Sequence, residues 1–172
     1  MELVVRPPDP ADAAGLARIW IDAGRLHREL DPRLFQVPDE ERLVDAFSSS
    51  LATQPTDPEH RLSLVAVAGD EVVGAVLAVL EEPEESADTD LLRERGWLRV
   101  KVWVLLVRAD RRRQGVGARL MEEVEAWARR RGAALVYLNT YIDNPTSVPF
   151  FEQTMGYERR AVRFDKLLSD AE

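Results

Sequence analysis

Between a strand-like run and a helix-like run the chain reads Val107-Arg108-Ala109-Asp110-Arg111-Arg112-Arg113-Gln114-Gly115-Val116-Gly117-Ala118. Glycines at the opening of a helix leave its first backbone N–H groups uncovered. Those donors, together with the positive end of the helix dipole, hold an anion. Arginines just upstream supply countercharge, so the chemistry suggested is the binding of a pyrophosphate. Two better-known phosphate loops fit less well. A Walker A loop needs Lys and then Ser or Thr after its second glycine, whereas Gly117 is followed by Ala118-Arg119. A dinucleotide fingerprint needs glycine where Leu120 stands, and an early βαβ unit where this chain has a hairpin.

The elements that must position this loop can be read from periodicity. Asp9 to Gly24 reads as a helix with Leu16, Ile19 and Trp20 on an apolar stripe, and about Asp39 to Leu51 as a second. Leu62 to Ala68 and Val72 to Leu80, joined by Gly69-Asp70, read as a hairpin of buried strands, and Glu82 to Arg95 as an exposed acidic loop. A long strand starts at Leu98. Its alternation puts Leu98, Val100, Val102, Val104 and Leu106 on one face and Arg99, Lys101, Trp103, Leu105 and Val107 on the other. Gly115 to Arg131 is a helix with Val116, Leu120, Val124 and Trp127 inward and Gly132 as its stop. Ala134 to Leu138 is a further strand, Thr146 to Met155 a short helix, and Tyr157 to Leu168 a closing strand. The order specifies a mixed α/β fold, expected as a single domain over residues 1–172.

Composition narrows the chemistry. The 172 residues contain no cysteine, which excludes a disulfide scaffold, a thiolate zinc site and a cysteine nucleophile. His27 and His60 have no metal-ligand spacing, so no metal is expected. A net charge of −8 repels nucleic acid and favours cationic partners. The apolar run from Val102 to Val107 is far too short to span a bilayer, and no leader opens the chain. A soluble, cytoplasmic protein with no membrane partner is the expectation.

Arg112-Arg113-Gln114-Gly115-Val116-Gly117 matches a signature of Arg or Gln, two residues, Gly, one residue, then Gly or Ala. Downstream, Asn144 to Tyr157 (NPTSVPFFEQTMGY) places an asparagine before a small residue, an aromatic pair and a glycine-aromatic turn. On these residues the sequence resembles the GNAT family of N-acetyltransferases, along the whole chain and most strongly from Leu98 to Tyr157. The resemblance implies a central, mostly antiparallel sheet with a splayed central strand pair, flanked by about four helices. It implies acetyl-CoA as co-substrate. By position, Leu105 and Val107 would bind the pantetheine through their main chain, and an N–H near Leu105 or Leu106 would polarise the thioester carbonyl. Arg112, Arg113, Gln114, Gly115, Val116, Gly117 and Ala118 would hold the pyrophosphate, with Asn144 and Ser147 flanking the arm near the thiol.

Transfer to an amine needs a neutral nucleophile, and an alkylamine with a pKa of about 10.4 arrives charged. Glu81 and Glu82, where the second hairpin strand ends and the family places its acceptor, are the candidates to take the proton. The tyrosine the family often uses to protonate the thiolate is replaced by Phe151, which has no proton to give. Of the three tyrosines, Tyr137 belongs to its strand and Tyr157 to the glycine turn, leaving Tyr141. The link Leu26 to Pro32, with His27, Glu29 and Asp31, would shape the acceptor pocket. The expected partner is a small-molecule or peptide amine, cationic in character, and a homodimer is envisaged. The competing reading is an acyl-CoA-binding regulatory module of the same fold without turnover.

Overall fold

The valine-rich runs around Gly69-Asp70 pair as antiparallel strands β2 (Arg61–Ala68) and β3 (Glu71–Glu81), with Gly69 at φ +63 reversing the chain. The computed structural model describes residues 2–53 and 57–168. On the other edge of β3, β4 (Arg99–Val107) runs antiparallel, and β5 (Leu135–Leu138) lies parallel to β4. A short strand that the sequence reading lacked, β1 (Leu3–Arg6), completes the order β1-β2-β3-β4-β5.

Helices cover both faces. Helix α1 (Ala13–Leu30) runs on past Gly24 and packs Ile19 against Val65, Val67, Val72 and Ala75. Helix α2 (Glu40–Thr53) lies against α1. There Trp20, expected on the core stripe, meets the Phe47 ring edge-on at 5.7 Å. Helix α3 (Val116–Arg130) closes the opposite face, burying Leu120, Met121, Val124 and Trp127 over Val76, Ala78, Val100 and Val102. Its 3.6-residue apolar period is what the sheet selects. Gly74 permits the close approach. A Cβ there would stand 2.8 Å from Val116 Cγ1 and 3.0 Å from Leu120 Cδ1. A final helix, α4 (Ser147–Pro149), widens into a π turn over Phe150–Thr154. Among the described residues, no helix is long and apolar enough to cross a membrane.

Two expectations are corrected. In β4, Leu77 faces Val104 while Ala78 faces Val102, so Trp103 is an extra residue, a bulge. The alternation inverts at that point. Val100 and Val102 face α3, but beyond the bulge Leu105 and Val107 pack on that core, and Leu106 joins the α1 side. The closing strand expected from Tyr157 to Leu168 is not formed. The segment runs from Gly156 to Leu167 without turn or bend, yet among the described residues no strand pairs with it, and a strand exists only through a partner's hydrogen bonds.

Candidate functional site

The glycine-rich loop folds as an uncapped helix start. Gly115 takes φ +83 with open space around its missing Cβ, so the glycine serves the backbone conformation. Arg113 also has a positive φ, 59°. No side chain caps α3, which leaves the amides of its first turn to other acceptors. Arg113, Gln114 and Gly115 are exposed, Ala118 is half-exposed, and Val116 is buried beneath them. Arg112 Nε donates to the Val107 carbonyl at 3.2 Å and ties the loop to the end of β4, while Gln114 Nε2 donates to the Asp110 carbonyl at 2.9 Å. Arg108 bridges Asp110 (2.6 Å) and Glu71 (3.1 Å), and both carboxylates raise its pKa. Gly117 has another role: a Cβ there would meet the Phe150 ring at 3.3 Å and Val107 Cγ2 at 3.6 Å. That glycine lets α3 sit against the Phe150 ring and the end of β4.

The loop lies at the end of a gap in the sheet. The β4–β5 ladder stops at Val102 opposite Leu138, whereas β4 stays paired with β3 through Val107. Along Leu105, Leu106 and Val107, therefore, alternate N–H and C=O groups on the β5 side have no strand partner among the described residues. An extended ligand rich in amides can complete such an edge, with an anionic group reaching the helix start.

Asn144 and Ser147 lie beyond β5. Asn144 is only 2% exposed, and its Oδ1 accepts the N–H groups of Thr146 (3.0 Å) and Ser147 (2.9 Å). That oxygen is consumed in starting α4, and half-exposed Ser147 opens it. Phe151 is buried in the α3 core, 5.0 Å from the Phe150 ring and 5.7 Å from Tyr157. Tyr157 donates to Glu125 Oε1 at 3.3 Å.

The acidic candidates separate. Val136 and Leu138 pack towards α3, so Tyr137 faces the other way, as do Arg99 and Glu81. There Tyr137 donates to Glu81 Oε2 at 2.8 Å, and Arg99 Nη2 stands 3.4 Å from both Glu81 and Glu84. These groups line a cavity of about 510 Å³ together with Glu82, Glu94 and Arg95. Burial, reinforced by Glu81, pushes the Tyr137 phenol up to about 12. Glu82 is on the rim, 3.6 Å from His60. Tyr141 belongs to a different cluster. Its hydroxyl donates to Asp31 Oδ2 at 3.3 Å, and its ring meets Phe35 at 5.2 Å, which in turn meets His27 at 4.9 Å. Burial first, then Asp31, raises the Tyr141 pKa, whereas the Arg33 guanidinium holds Asp31 down at about 2.

Sequence reasoning missed Arg99, Lys101 and Trp103, and took Tyr137 for a packing residue. Lys101 lies beside Tyr137 in the ladder, with Nζ 3.7 Å from the centre of the exposed Trp103 ring. One signal was available. Among 23 Lys and Arg, only Lys101 and Lys166 are lysines, and a lysine can lose its proton where an arginine cannot.

The profile of the acetyltransferase (GNAT) family matches residues 17–157. No curated protein matches the sequence. Solved structures with the same fold include a transcriptional regulator from Bacillus halodurans C-125, 20% identical with a TM-score of 0.67 over 96% of this chain and 100% of that one. Glucosamine-6-phosphate N-acetyltransferase from Arabidopsis thaliana is 12% identical with a TM-score of 0.63, covering 98% and 100%. An aminoglycoside acetyltransferase from an uncultured soil metagenomic sample is 17% identical with a TM-score of 0.60, covering 97% of each. At such identities these structures speak for the fold, and the profile match speaks for the family. The sheet that parts beyond Val102, the uncapped α3 and the profile match agree, and the chain belongs to the GNAT family of acetyltransferases.

Proposed function

We propose that this protein transfers an acetyl group from acetyl-CoA to a primary amine by direct attack of the amine on the thioester. The observation that carries the reading is the parting of β4 from β5 at Val102, with the uncapped start of α3 at the far end of the gap. Acetyl-CoA supplies an activated acyl group and a thiolate leaving group. The main chain of Leu105 and the N–H of Val107, whose carbonyl already accepts from Arg112, suit the amides of its pantetheine, and the first turn of α3, with Arg112 to Ala118 around it, suits the pyrophosphate. An N–H near Leu105 or Leu106 polarises the carbonyl.

On the acceptor side, Glu81, held by Tyr137 and Arg99, receives the ammonium proton directly or through water, with Glu82 at the rim. As the new C–N bond forms and the C–S bond breaks, the departing sulfur needs a proton. Tyr141, protonated at neutral pH like any tyrosine and with its pKa raised further by burial and Asp31, is the phenol proposed for it. The carboxylates of Glu81, Glu82, Glu84 and Glu94 around the cavity favour a cationic acceptor.

The test is a panel of amines assayed by release of free coenzyme A thiol, to which this cysteine-free chain adds no background. Two structural neighbours are named for an amino-sugar phosphate and an aminoglycoside, so both belong in the panel. Thiol release that depends on the amine supports the reading. Acetyl-CoA that raises the melting temperature without any turnover favours the acyl-CoA-binding module instead. No melting shift and no turnover overturn both.

A further inference from the structure

Lys101 is a cation that the acids around it do not hold. It stands in β4 one residue before Val102, where the last pair with β5 is made. Its ladder neighbours are Val79 on β3 and Tyr137 on β5, so no carboxylate faces it from either strand. Among the described residues none pairs with its ammonium, whereas Arg99, two positions earlier, reaches Glu81 and Glu84 at 3.4 Å. Nζ lies instead 3.7 Å from the centre of the Trp103 ring, which is 58% exposed. Trp103 is the bulged residue at which β4 leaves β5, so the lysine side chain is bent along its own strand, away from the acids and towards the gap. A cation over so exposed a ring is held weakly, and a four-carbon stem lets it swing off.

With a pyrophosphate at the start of α3 and a pantetheine arm along Val107 and Leu105, the thioester of acetyl-CoA comes to the closed end of the gap, near Leu105. Trp103 is two residues from there, roughly 7 Å along the strand, a distance that a lysine side chain covers by changing rotamer. Val100 and Val102 turn to the face that α3 closes, and Lys101, between them, turns to the opposite face. A nucleophilic side chain, the only lysine besides Lys166 in the chain, is therefore stationed beside the position of the activated acyl group.

We propose, resting on that reading of acetyl-CoA in the gap, that Lys101 is itself an acceptor: in the absence of an external amine, the protein acetylates Lys101 Nζ in the same molecule. The ammonium gives a proton to water, and neutral Nζ attacks the thioester carbonyl. The C–N bond forms and the C–S bond breaks. The new amide nitrogen sheds its second proton as the departing thiolate takes one from water, so the products are N-acetyl-Lys101, coenzyme A thiol and one released proton. The modification removes the cation from Trp103 and leaves a neutral amide at the mouth of the gap.

The test is incubation of the full chain with acetyl-CoA and no amine, followed by mass spectrometry of its peptides. Exposed Lys166 reports the uncatalysed reaction of a lysine with the thioester. Lys101 should gain one acetyl group roughly tenfold or more faster than Lys166, as an amine held near its target does. Its rate constant should not change when the protein is diluted, and excess coenzyme A should slow Lys101 while leaving Lys166 unaffected. Lys101→Arg keeps a cation over Trp103, so it should remove the fast uptake without lowering the melting temperature. Modification of Lys101 no faster than of Lys166 overturns the proposal, as does a rate constant that rises with protein concentration. Amine-dependent thiol release by a chain whose Lys101 stays unmodified overturns this proposal alone and leaves acetyl transfer standing. The absence of thiol release, of acetylation and of any melting shift with acetyl-CoA overturns both.

Discussion

Replacing Gly74 with alanine should loosen the start of α3 from the sheet. The added methyl carbon would lie 2.8 Å from Val116 Cγ1, 3.0 Å from Leu120 Cδ1 and 3.2 Å from the Leu106 carbonyl oxygen. Carbon–carbon contacts are comfortable at about 3.5–4.0 Å, so the overlap with Val116 is roughly 0.7 Å or more. Val116 and Leu120 are both buried, and the third neighbour is backbone in the middle of a ladder. Relief must come from the first turn of α3 moving outwards. Overpacking of this kind costs about 1–3 kcal/mol. For a chain of this size each kcal/mol moves the melting temperature by about 2–4 °C, so a fall of roughly 2–12 °C is expected in thermal unfolding. The Val116→Ala background identifies the cause, because it removes the closest atom. There the loss from Gly74→Ala should shrink by about 0.5 kcal/mol or more, as contacting residues couple. Leu120 and the carbonyl would keep part of the penalty. An unchanged melting temperature, or losses that simply add, would refute the packing argument.

Gly115→Ala adds no clash, only a side chain at φ +83, so urea unfolding should show a loss of about 1–2 kcal/mol; no loss would mean that the turn relaxes freely. Asp31 is held at about 2, below its ordinary value near 3.9, so its contribution to stability is full above about pH 4 and is lost as pH falls towards 2. Stability curves of the native chain and Asp31→Asn should therefore differ at neutral pH and converge in acid; parallel curves would refute the assignment. All three tyrosines have raised pKa values, so ultraviolet titration of the folded protein should show little phenolate at about pH 10, where a free tyrosine is half ionised. If Glu81 takes the acceptor's proton, Glu81→Gln should lower the rate at neutral pH more than at high pH, where the amine is already neutral; an equal loss at both would assign Glu81 a positioning role.

The parts of the fold that were legible share one property: a periodicity with a boundary on each side. Helix α3 has an apolar stripe between Gly115 and Gly132, and the β2–β3 hairpin has valine runs around Gly69. The glycine-opened start of α3 was legible for the same reason, because its glycines and arginines are contiguous. The bulge at Trp103 was not, since both faces of β4 beyond it are apolar and an inverted alternation of valine and leucine leaves no mark. The strand β1 is four residues long with Val4 exposed, too short to show a period. The segment after Tyr157 has the pattern of a strand, but pattern specifies a face, and pairing requires a neighbour. Of the candidate residues, Glu81 was legible in its place at a strand end, while a catalytic role is part of the proposal. Its bond to Tyr137, 56 positions away, exists only because β4 lies between them and pairs with both strands.

The parting of the sheet at Val102 gives one strand's backbone two different solvent histories. Amides of β4 up to that point sit between two neighbours, and a strand so enclosed ordinarily surrenders its protons only when much of the molecule opens. Beyond it, every second amide faces the gap and meets water in the native state. In heavy water, β4 should therefore exchange in two phases, slow from Arg99 to Val102 and alternately fast and slow from Trp103 to Val107. The fast amides are a built-in gauge: whatever occupies the gap will slow them, residue by residue along its length, without a label and without turnover.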